Sequence, residues 1–87
     1  MHASLVHVDI QDVEAATKGV AETVIPNLKK LPGFVGAYFV ALDGAHGFSI
    51  AVFETEEQAK ASAPAEGNLS PGVTLIKTEM GRVVGAA

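Results

Sequence analysis

The chain has 87 residues, 48% of them hydrophobic, with no cysteine and a formal net charge of −4. That length suits one small domain, residues 1–87, and the acidic balance argues against nucleic acid, whose phosphates need a basic face. Disulfides and thiolate metal sites are excluded, and there is neither a run near twenty apolar residues nor a cationic leader, so a cytoplasmic protein without a membrane span is expected.

The first predicted strand is Ala3–Ile10, where Ser4, Val6, Val8 and Ile10 alternate with Leu5, His7 and Asp9. Asp9 or Asp12 can cap the helix that follows. Val13, Ala16, Val20, Val24, Leu28 and Leu31 recur at three- and four-residue spacing and give that helix one apolar stripe. Pro26 lacks a backbone donor, which predicts a kink or break near Glu22–Pro26. Leu31-Pro32-Gly33 ends the helix, and two β-rich runs then flank Asp43-Gly44, a pair suited to a tight turn. A second helix starts on the capping box Thr55-Glu56-Glu57-Gln58 and runs to Ser62 or Ala63, before Pro64 and Gly67. Asn68–Gly72 reads as a loop, and Val73–Val84 as a last strand with a bulge expected near Gly81. The order β-α-β-β-α-β is the ferredoxin-like α+β arrangement, one antiparallel sheet with both helices on one face.

The hairpin Leu31–Glu54 is apolar on both faces, and a chain this short covers only one of them with its own helices. A two-residue turn at Asp43-Gly44 pairs Tyr38 with Ser49 and Gly36 with Ala51. One face then carries Phe34, Gly36, Tyr38, Val40, Leu42, Gly47, Ser49, Ala51 and Phe53. The other carries Val35, Ala37, Phe39, Ala41, His46, Phe48, Ile50 and Val52, and is expected against the helices. Burying Phe34, Tyr38, Val40, Leu42 and Phe53 is worth about 1.5–3 kcal/mol each, or on the order of 10 kcal/mol together. That matches the whole stability of a small domain, so a homodimer is expected, its two sheets face to face around a cavity.

The run Leu31-Pro32-Gly33-Phe34-Val35-Gly36-Ala37, the Asp43-Gly44 turn, Phe53–Ala59 and Gly81–Ala86 resemble the antibiotic biosynthesis monooxygenase family over nearly the whole chain. The resemblance implies a dimeric α+β barrel holding a small apolar or aromatic ligand. In the catalytic branches it implies oxygenation by O2 without metal or flavin, and in another branch haem cleavage. The chain departs from both. It has no Trp, Phe53 stands where that family often has one, and the second helix has no His to ligate haem iron. No cofactor and no metal are expected.

On this reading His7 and Tyr38 are the candidate catalytic residues. A histidine titrates near neutral pH and can serve as a general base, and a tyrosine hydroxyl can bond a ligand oxygen. The blander readings are a half-buried strand histidine and an interface aromatic. Leu5, Phe34, Gly36, Val40, Ser49, Ala51 and Phe53 are the expected pocket wall. His2 and His7 have opposite strand parity, which argues against a shared metal. Three functions stay open: a cofactor-independent monooxygenase, a non-catalytic small-molecule-binding dimer, and a purely structural dimer.

Overall fold

Alternating β-branched residues at each end of the chain and in the hairpin form four strands. The computed structural model describes residues 1–42, 45–62 and 72–87. In chain order the elements are β1 (His2–Ile10), α1 (Val13–Gly19), a π-helical stretch (Val20–Val24), α2 (Ile25–Lys29), β2 (Phe34–Leu42), β3 (His46–Phe53), α3 (Glu56–Ala61) and β4 (Val73–Arg82). The strands form one sheet in the order β2-β3-β1-β4, with every neighbouring pair antiparallel. This is the expected ferredoxin-like βαββαβ topology, with β1 and β3 in the centre and β2 and β4 at the edges. Among the described residues no helix is long and apolar enough to cross a membrane.

Residues 13–29 act as one long helix with a defect in the middle. Asp12 caps it, its Oδ1 accepting from the Ala15 amide at 3.1 Å. Asp9 does not cap; it bonds His46 instead. Pro26 lacks an N–H, and its ring would crowd the carbonyl one turn back, so the chain widens just ahead of it. The Ile25 amide accordingly donates to the Val20 carbonyl, five residues earlier. The helix thus continues through the proline, where a break was one of the two expectations. Thr55 and Gln58 form the expected capping box at the start of α3. Pro64, Gly67 and most of the loop read at Asn68–Gly72 lie outside the described residues.

Strand register is where the expectations need correction. The β2–β3 ladder closes at Leu42↔His46, so three residues, 43–45, join the strands instead of two. Asp43 and Gly44 themselves lie outside the described residues. Tyr38 therefore pairs with Ile50, Phe39 with Ser49 and Ala37 with Ala51. Because side chains alternate with a period of two, the one-residue change turns every β3 side chain to the opposite face. Ser49, Ala51 and Phe53 face the helices, while Phe48, Ile50 and Val52 join Tyr38, Val40 and Leu42 on the open face. Val35 is an extra residue between the pairs Phe34↔Phe53 and Gly36↔Val52, so Phe34, expected on the open face, turns to the helix side with Phe53. A further irregularity sits between β1 and β4. His7 pairs with Lys77 and Val8 with Leu75, so Ile76 is the extra residue, and no bulge occurs at Gly81. That strand ends at Arg82, short of Val84.

Among the described residues the tightly buried core is small and centres on Phe53 and on Ala59 of α3, with Ala16 closed off on the long helix. Phe53 is fully buried, and Ala3, Ser4 and Ala59 are also closed off from solvent. Phe34 meets the Phe53 ring edge-on, with centroids 5.6 Å apart. The Glu54 amide donates to the Gly33 carbonyl at 2.9 Å and ties this end of the hairpin to the helix exit.

Candidate functional site

Two surfaces qualify, one on each side of the sheet. The first is a cleft of about 370 Å³ between the sheet and the long helix. Its floor is the helix-facing side of β1 and β3, where Val6 and Val8 lie beside the small residues Ser4, Ser49 and Ala51. Its roof is the apolar stripe of the long helix, including Val20, Val24 and Leu28. Small side chains on the floor leave room that larger ones would fill. Gly47 is small for a different reason: a Cβ there would come within 2.8 Å of Val8 and 2.9 Å of Ile10, whose side chains already fill the space above it. The polar groups on the lining are the hydroxyls of Ser4, Thr17, Ser49 and Ser62 and the Asn27 carboxamide. Thr17 donates its hydroxyl proton to the Val13 carbonyl, and Ser62 donates to Ala59. Among the described residues no Asp, Glu, His, Lys, Arg or Tyr lines the cleft.

The second surface is the open face. His7 lies on it, its ring edge-on to Phe48 at 5.1 Å between centroids. Its Nε2 donates to Glu79 Oε1 at 3.0 Å, and Lys77 Nζ lies 3.3 Å from the same oxygen. The Lys77 ammonium bonds and attracts the Glu79 carboxylate and holds its pKa below the usual range, with His7 adding a smaller pull the same way. A carboxylate with a lowered folded pKa stabilises the fold at pH values above its ordinary one. That contribution is lost as pH falls through the lowered value. Glu79→Gln should therefore remove part of the acid dependence of stability below the ordinary glutamate pKa and change little near neutrality. Urea unfolding across an acid pH series checks this.

Tyr38 is 76% exposed on the same face, and Val40 and Leu42 are nearly half exposed. His7 and Tyr38 thus share a face, but β3 lies between their strands and His7 is level with Val40, so the two are roughly 12 Å apart. The nine residues expected to build one site divide between two surfaces. Leu5, His7, Gly36 and Tyr38 belong to the open face. Ser49 and Ala51 line the cleft, while Phe53 and its partner Phe34 pack under α3. Val40 and Phe48 alternate onto the open face and also border the cleft. The cleft residues contributed by the helix carry a sequence signal, the apolar stripe itself. Among the described residues no three His, Asp or Glu side chains gather as a metal site requires.

No family model matches the chain, and no curated protein matches it. Among solved structures, the crystal structure of HapK from Hahella chejuensis matches with a TM-score of 0.68 and 14% sequence identity, covering 100% of this chain and 96% of that one. At that identity the likeness carries the fold alone: the chain is a small α+β protein of ferredoxin-like topology with a solved structural neighbour of nearly equal length.

Proposed function

We propose that the protein is a homodimer, joined through the open sheet face, that holds a small apolar molecule in the cleft of each protomer without converting it. The observation that carries the binding reading is a cleft of about 370 Å³ whose described lining is apolar, with hydroxyls, one carboxamide and no ionisable group. Ligand cavities of this kind begin at about 300 Å³ and combine an apolar wall with a few polar groups. General acid–base chemistry needs a titratable side chain within reach of the reacting atom, and the cleft lining offers none among the described residues.

The corrected register supports the second copy. It gathers Tyr38, Val40, Leu42, Phe48, Ile50 and Val52 on the open face, a more apolar set than the uncorrected pairing gives. Charges of both signs stand beside them, Lys77 and His7 against Glu79. A twofold axis can therefore bring two such faces together without massing like charge. The edge strand β2, FVGAYFVAL, carries no charge to deter pairing.

The monooxygenase reading rests on the motif resemblance; its candidate residues His7 and Tyr38 lie on the open face, the side expected to line a sheet-to-sheet cavity, and away from the cleft. Light scattering and oxygen uptake separate these readings. The expected outcome is a dimer at micromolar concentration that Val40→Glu converts to a folded monomer, and no oxygen consumption with quinols or anthrone-like substrates. A wild-type monomer sinks the assembly claim. Oxygen uptake lost on His7→Ala or Tyr38→Phe replaces the binding reading with the enzymatic one.

A further inference from the structure

We infer that the cleft selects a neutral, medium-chain aliphatic molecule with a single oxygen head group, an alcohol, aldehyde or ketone, over organic acids and planar aromatics. This rests on the reading of the cleft as a binding site and names what it takes. Its walls are mostly branched aliphatic side chains, Val6 and Val8 below and Val20, Val24 and Leu28 above. Among the described residues Phe39 supplies the aromatic side chain of the lining, because the Phe48 ring lies on the opposite face against His7. A planar ligand stacks best between aromatic faces, whereas rounded aliphatic walls close as well around a flexible chain.

The floor supplies the head-group partner. Ser4 is only 2% exposed, and Ser49 stands on the neighbouring strand, two pairs along the ladder and so on the same face, since Ser4 pairs with Ala51 and Val6 with Ser49. A hydroxyl both donates and accepts, so this pair suits an uncharged oxygen of either kind. A carboxylate entering the cleft would bury its charge with no cation on the described lining, which is strongly unfavourable.

The test is a titration of the isotopically labelled dimer with 1-hexanol, 1-octanol, 1-decanol, octanoate at pH 8 and 1-naphthol, followed by NMR at the Val and Leu methyls and the Tyr38 ring. The expected result is that the alcohols shift the methyls of Val6, Val24 and Leu28 and leave Tyr38 unmoved. Affinity should rise about fourfold per added methylene until the cleft is full. Octanoate should bind at least tenfold more weakly than 1-octanol, and Ser49→Ala should weaken 1-octanol by about tenfold. If none of the five compounds shifts a cleft methyl, the binding reading itself fails. If octanoate or 1-naphthol binds more tightly than 1-octanol, the cleft binds ligand but the aliphatic, neutral assignment is overturned.

Discussion

Phe53→Ala should destabilise the protein by about 3–5 kcal/mol, the range for removing a fully buried phenyl ring. Phe53 has no solvent exposure, pairs with His2 on one side and Phe34 on the other, and lies where α3 closes over the sheet. Among the described residues few other side chains are buried, so little else in the core can shift to fill the space. Against a total of about 5–15 kcal/mol for a small domain, this one change takes a large share. At about 4–8 °C per kcal/mol, the melting temperature should fall by well over 10 °C. Phe34→Ala should cost less, and the double variant should cost less than the sum, because the edge-on contact is lost once in either background. Tyr38→Ala is the control. At 76% exposed, Tyr38 should change the stability of a dilute monomer by no more than about 0.5 kcal/mol. In a face-to-face dimer the same change should instead lower stability in a concentration-dependent way. Thermal melts at two protein concentrations distinguish the cases.

That contrast also shows what the residues reveal on their own and what they do not. The strands and helices follow from local rules: alternation in β1, the stripe from Val13 to Leu31, the Thr55-Gln58 box, and the strain Pro26 imposes on its helix. Each of these signals spans a few residues and needs no distant partner. The face assignment of β3 is different, because it hangs on one residue in the hairpin connection, and Leu42↔His46 closes the ladder where Leu42 and Ala45 are the expected pair. From Gly36 to Leu42 the β2 faces agree with the expectation, those of β3 are reversed, and the extra residue Val35 turns Phe34 to the helix side, which together split the expected pocket. One local clue pointed the right way. Gly47, Ser49 and Ala51 are all small and alternate together, which suits a face where Val8 and Ile10 crowd Gly47 and a helix covers a cleft, rather than an open face. The shift that makes Ile76 the extra residue has a weaker mark, two adjacent aliphatics at Leu75-Ile76.

Gly33→Ala should cost roughly 2–4 kcal/mol, and the reason joins the helix exit, the hairpin and α3. The backbone at Gly33 has φ = 74°, a left-handed conformation that disfavours any residue with a Cβ by about 1–2 kcal/mol. A Cβ built there also overlaps the Gln58 carboxamide. That carboxamide accepts from the Thr55 amide at 3.1 Å, so displacing it opens the capping box and loses up to about 1–2 kcal/mol more. The Gly33 carbonyl meanwhile accepts from Glu54, so the backbone cannot rotate to relieve the strain without losing that bond. The two causes can be separated in a double-mutant cycle. In a Gln58→Ala background the overlap is gone and the capping box already open, so Gly33→Ala should then cost only the conformational term, about 1–2 kcal/mol. Equal costs in both backgrounds, measured by urea unfolding, would mean that Gln58 moves aside freely and that the positive φ alone holds this glycine in place.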